Sequence, residues 1–116
     1  MHFKLIIALT EDTITNKVVD AARTKGATGS TVISSARGEG LQVAKTFLGL
    51  SLDTQRDVIL LLVEEHMSRD ILETIEAVGE FEAHPGSGIA FTIDVEDAVG
   101  VSQQVNKLSE LVEDEI

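Results

Sequence analysis

Val58-Ile59-Leu60-Leu61-Leu62-Val63 is apolar at six successive positions, and Leu5-Ile6-Ile7-Ala8-Leu9 at five. Alternate side chains of a strand leave opposite faces, so strands without polar alternation ask for cover on both sides of their sheet. Both runs are far too short to span a membrane. With 116 residues the chain has room for one domain with a real core and none for a second. What covers the second sheet face is therefore the first question this sequence poses.

The order of elements sharpens it. Phe3 to Leu9 reads as a strand, and Thr10-Glu11-Asp12-Thr13 offers N-cap candidates for a helix. Ile14, Val18, Val19 and Ala22 recur at helical spacing, Gly26 is placed to end that helix, and Thr31 to Ser35 follows as a second strand. The pattern repeats with a strand over Val58 to Val63, a helix marked by Met67, Ile71, Ile75 and Val78 and ended by Gly79, and a strand from Gly88 to Val95. Glu64 is expected to cap the second helix rather than to pair with Glu65 as a catalytic carboxylate. Between the halves lies the connection 37–57, with a short strand expected over Thr46 to Leu52 and interrupted by Gly49. Val101, Val105, Leu108 and Val112 mark a final helix, making 102–116 a C-terminal helical extension of a domain over 1–101.

Two βα units in succession predict an α+β fold of the ferredoxin-like βαββαβ kind, a four-stranded antiparallel sheet with both helices on one face. The other face then lies bare. At roughly 25 cal/mol per Å² of apolar area, leaving it in water would waste many kcal/mol, and self-association through it is the simplest remedy.

Composition excludes several functions. Twenty acidic against nine basic residues give a net charge of -11, which opposes attraction to nucleic-acid phosphates or an anionic membrane. The chain has no cysteine, hence no disulfide, thiolate metal site or thiol nucleophile. Its only aromatic residues are four phenylalanines, so neither a base-stacking platform nor an aromatic cage is expected. No signal-peptide pattern follows Met1, and the expected address is the cytoplasm. Ser34-Ser35 sits in no nucleophile elbow, and no Gly-Lys-Ser or Gly-Lys-Thr phosphate loop occurs. No enzymatic machinery is evident.

Two glycine turns beside strands remain, Arg37-Gly38-Glu39-Gly40 and Pro85-Gly86-Ser87-Gly88. Bare backbone there can hold a small anion on amide N–H groups, and it can equally serve a bulge or a type II turn. Over 37–57 the cations Arg37, Lys45 and Arg56 balance Glu39, Asp53 and Asp57, so this region repels an anion least. Gln42 adds a side chain that both donates and accepts hydrogen bonds. The residues expected to bind a ligand are Arg37, Gly38, Gly40, Gln42, Arg56, Gly86, Ser87 and Gly88.

Three segments carry a family likeness: 26–32 (Gly-Ala-Thr-Gly-Ser-Thr-Val), 38–42 (Gly-Glu-Gly-Leu-Gln) and 86–95 (Gly-Ser-Gly-Ile-Ala-Phe-Thr-Ile-Asp-Val). Through them the chain resembles the PII signal-transduction family, small cytoplasmic trimers that bind effectors between subunits and dock on partner proteins. The resemblance makes 37–57 the T-loop and 83–88 the B-loop. It places Gln42 where the family supports metal-bridged 2-oxoglutarate and Arg56 where a lysine pairs with that ligand's distal carboxylate.

The departures from the family also speak. Ile89 stands where a lysine usually reaches nucleotide phosphates, and two phosphate-binding arginines would align near Gly100 and Ser102. Each missing charge-assisted bond forfeits on the order of 1.5 to 3 kcal/mol, so a less charged nucleotide or a small carboxylate fits better than ATP. The chain has no tyrosine for uridylylation.

The expected function is that of a divergent PII-like homotrimer, not an enzyme, with no covalent cofactor. An adenine nucleotide or another small anionic effector would sit between subunits and control a protein target such as a transporter or metabolic enzyme. Two alternatives stay open: a small ferredoxin-like enzyme working near His84 and Arg56, and a trimeric metal-tolerance protein in which His2, His66 or His84 converge across subunits.

Overall fold

The computed structural model describes residues 1–36, 46–47, 50–51 and 56–101. In chain order the elements are β1 (Phe3–Glu11), α1 (Thr15–Thr24), β2 (Thr31–Ala36), β3 (Thr46–Phe47), β4 (Leu50–Ser51), β5 (Arg56–Glu64), α2 (Glu65–Gly79) and β6 (Gly88–Val95). Four strands form one antiparallel sheet in the order β2-β5-β1-β6, the ferredoxin-like arrangement that the pattern of βα units predicts. β3 and β4 pair only with each other, so the single strand expected over Thr46 to Leu52 is instead two facing two-residue strands. The final helix expected beyond Val101 lies outside the described residues.

Register decides which side chains meet the helices. Ile6 stands opposite Leu61 and Thr92, and Ala8 opposite Ile59 and Ala90. Ile6, Ala8, Ile59, Leu61 and Val63 pack with Val18 and Ala22 of α1 and with Met67, Ile71 and Ile75 of α2 as the buried core. The alternate residues Leu5, Ile7, Val58, Leu60 and Leu62 are half-buried on the other face, which neither helix covers. Ile33 and Ile93 on that same face are 50% and 46% exposed.

Several element ends differ from expectation for identifiable reasons. β1 runs on to Glu11 and β5 begins at Arg56, because Thr10 and Glu11 continue the ladder opposite Asp57 and Arg56. The connection expected over 37–57 therefore loses its last two residues to β5. α1 starts at Thr15 after an N-cap, Ile14, that makes no side-chain hydrogen bond, so none of Thr10 to Thr13 caps it. Thr10 turns inward instead, and its buried hydroxyl meets that of Thr15 at 2.8 Å. α2 runs through Gly79, and the left-handed residue that ends it is Glu80 (φ 54°).

Glu64 caps α2 as expected. Its carboxylate, almost fully buried, accepts the His66 backbone N–H at 2.7 Å and the His66 Nδ1–H at 2.6 Å. The hydrogen bond and the adjacent charge of Glu64 raise the pKa of the exposed His66 imidazole above its ordinary value. A pKa raised by folding adds stability that is complete below the unfolded-state value and disappears as pH rises through the folded-state value. The stability difference between wild type and His66→Gln should thus shrink as pH rises from about 6.5. Urea titrations across that range test this, and parallel pH profiles for the two proteins would refute it.

Candidate functional site

The link from α2 to β6 is closed by three backbone hydrogen bonds: Phe81 N–H to the Glu76 carbonyl, His84 N–H to Glu80 and Ser87 N–H to His84. The last of these closes a β-turn over 84–87 with proline second and a positive-φ glycine third, Gly86 at 85°. That is the type II geometry expected from Pro85-Gly86, and only glycine adopts that φ without strain.

Two anchors hold this turn. The first is Phe81, 8% exposed, whose ring lies against the backbone of both Gly79 and Gly88. A Cβ would stand 2.3 Å from the ring at Gly79 and 2.2 Å at Gly88. Neither glycine is needed for a special φ. Both are needed so that one ring can seal the junction between helix and strand. In the sequence, the only sign of this was a phenylalanine flanked by glycines at short range.

The second anchor is Arg56. Its guanidinium is 2% exposed, donates through Nη2 to the Gly86 carbonyl at 2.8 Å and through Nη1 to the Ser87 carbonyl, and stands 3.7 Å from the Glu11 carboxylate. Arg56 and Glu11 are ladder partners on the side of the sheet that the helices leave open, so the arginine crosses the end of β1 to reach the turn. Of the residues expected to bind a ligand, Arg56, Gly86, Ser87 and Gly88 are thus brought together. Arg37, Gly38, Gly40 and Gln42 lie outside the described residues. The Ser87 hydroxyl, shielded from solvent, has no hydrogen-bond partner among the described residues.

Surrounding charge is uneven. On the helix side of the turn, a cleft of about 540 Å³ is lined by α2, Phe81, Glu82 and the start of β6. Glu73, Glu76 and Glu82 border it, while Arg69 pairs with Glu73 at 2.8 Å, so this cleft disfavours an anion. Ile89, where the PII resemblance leads one to look for a phosphate-binding lysine, lines the same cleft.

Within the chain, His2 and His66 lie at the start of α2 and His84 at the other end of the sheet. His84 is exposed and lies 3.9 Å from Glu80, whereas His2 approaches Glu65 and Asp94 at the opposite end of the sheet. Lys4 also pairs with Asp94 there, raising the lysine pKa and lowering that of the carboxyl. Among the described residues no group of three or more acidic or histidine side chains is placed to hold a metal ion.

If Phe81 seals the turn as described, Gly88→Ala should destabilise the fold by about 1–3 kcal/mol through overpacking. Trimming the ring with Phe81→Leu in the same chain should recover part of that loss. A double-mutant cycle by urea denaturation measures the coupling, and simple additivity of the two changes would argue against ring contact.

A family model described as nitrogen regulatory protein P-II matches residues 3–105. No curated protein matches the sequence. Among solved structures, a PII-like signalling protein from Thermus thermophilus superimposes with TM-score 0.60 at 24% identity, covering 82% of this chain and 87% of that one. The apo form of CPII from Thiomonas intermedia, a nitrogen regulatory PII-like protein, gives TM-score 0.62 at 22% identity, with 82% and 90% covered. The same protein bound to ADP, AMP and acetate gives 0.59 at 23% identity, with 83% and 90% covered. At these identities the structural likeness speaks for the fold.

Proposed function

The chain belongs to the nitrogen regulatory protein P-II family, and from that membership we propose that it is a homotrimeric regulator that senses a small anionic effector between subunits. The effector is held at the turn of Gly86, Ser87 and Gly88, backed by Arg56, together with Arg37, Gly38, Gly40 and Gln42 from the long connection. Binding biases that connection toward one arrangement and so alters docking on a protein target such as a transporter or metabolic enzyme. This requires that the effector favour one arrangement over the other, since equal affinity shifts nothing.

The observation that carries the reading is the turn itself, fixed from two sides, with a shielded Ser87 hydroxyl that has no partner among the described residues. Trimer formation is supported by the sheet face that neither α1 nor α2 covers, on which Leu5, Ile7, Leu60 and Leu62 stay half-exposed among the described residues. Among the described residues no helix is long and apolar enough to cross a membrane. The site lacks a phosphate-seeking cation at position 89. An adenosine mono- or diphosphate, the class carried by CPII from Thiomonas intermedia, suits it better than ATP.

Sedimentation equilibrium should return the mass of three chains for the wild type, and Leu60→Asp on the open face should reduce it to one. Calorimetric titration with AMP, ADP and ATP should give binding in which ATP is held no more tightly than ADP. A monomeric wild type, or silence toward all three nucleotides and toward 2-oxoglutarate and bicarbonate, would sink the proposal.

A further inference from the structure

We infer that Arg56 is a positioning residue whose two-pronged grip on the Gly86 and Ser87 carbonyls fixes the turn and aims the Gly88 amide N–H toward a phosphate-class anion, without the arginine touching that anion itself. This rests on the reading of the turn as an effector site.

The geometry follows from peptide planarity. In a trans peptide the C=O and the next residue's N–H point to opposite sides, and no peptide bond in the described chain is cis. Seating the carbonyls of Gly86 and Ser87 on the guanidinium therefore turns the N–H groups of Ser87 and Gly88 away from it. The Ser87 N–H is taken by the His84 carbonyl at 3.0 Å, which locks the turn, and the Gly88 N–H faces away from the arginine. An anion approaching the turn meets the Gly88 N–H and the Ser87 hydroxyl rather than carbonyl oxygens, because the Gly86 and Ser87 carbonyls are already occupied from behind. Arg56 can play this part because it is 2% exposed and its charge is partly balanced by the Glu11 carboxylate at 3.7 Å.

Lysine makes the inference testable. It preserves the cation at position 56 but has a single nitrogen, which cannot span two carbonyls as a planar fork does. Arg56→Lys and Arg56→Gln should each weaken binding of AMP and ADP by at least about tenfold, the loss expected when charge-assisted hydrogen bonds are removed. Amide hydrogen exchange on the ligand-free proteins should show Ser87 losing about tenfold or more of its protection in both variants, while the centre of β1 is unchanged.

If Arg56→Lys binds like the wild type while Arg56→Gln does not, the charge and not the fork is what matters, and the inference is wrong. It is equally wrong if both variants match the wild type. Silence of the wild type toward both nucleotides would remove the effector reading, and Ser87 exchange would still decide whether Arg56 sets the turn. Should Arg56→Gln not fold, Arg56→Lys carries both measurements. Should neither fold, a wild-type Ser87 amide that exchanges as fast as that of exposed Ala83 overturns the inference.

Discussion

Strand β1 is paired along its length with β5 on one side and β6 on the other, and the register of those two ladders determines everything at the site. Glu11 faces Arg56 across one ladder, and Thr10 faces Gly88 across the other. The turn and the arginine thus sit two strands apart, about 9.5 Å, at the same end of the sheet. Only a long side chain lying over the end of β1 bridges that gap. A slip of one residue between β1 and β5 would send Arg56 to the helix face and strand its charge in the apolar core. The six-residue apolar run of β5 guards against the slip weakly, since it is apolar on both faces. The polar residues at its ends, Arg56 and Asp57 on one side and Glu64 on the other, specify the register that the run alone leaves loose.

That dependence explains why a buried charge is tolerated. Removing a guanidinium from water is costly, and the cost is offset only where its protons find acceptors. Two carbonyls supply acceptors here, and the Glu11 carboxylate at 3.7 Å supplies a countercharge. The same contacts that make Arg56 stable make the turn rigid, while Phe81 fixes its other side by filling the space that Gly79 and Gly88 leave. On the proposed reading, a turn held in advance loses little entropy when a ligand arrives, which would let few backbone donors suffice where side-chain cations are missing.

The strands of the four-stranded sheet and both long helices were legible in the sequence because each follows from local periodicity, and the type II turn was one of the readings that the proline–glycine pair allowed. The same holds for the cap at Glu64. What was not legible depended on contacts between distant residues. Gly79 looked like a helix terminator, yet the left-handed residue is Glu80 and the glycine is there to admit the Phe81 ring. The threonines before α1 looked like caps, but Thr10 is drawn inside by Thr15. Arg56 looked like part of the connection 37–57, and the ladder with Glu11 reveals it as a buried strand residue. No pattern of spacing announces that an arginine will be used to orient backbone 30 residues away.

Electrostatics then constrain what the turn can accept. The chain carries a net charge of -11, and Glu73, Glu76 and Glu82 border the cleft on the helix side of the turn. Arg56 offsets this field only in part, because the Glu11 carboxylate stands 3.7 Å from it. An effector with three or four negative charges would enter against that field with no cation at position 89 to meet its outermost phosphate. One with one or two charges meets a smaller penalty and can be satisfied by amides and the Ser87 hydroxyl. On the proposed reading, selectivity for low charge requires no dedicated discriminating residue. It would follow from the acidic residues around the turn and the missing cation at position 89.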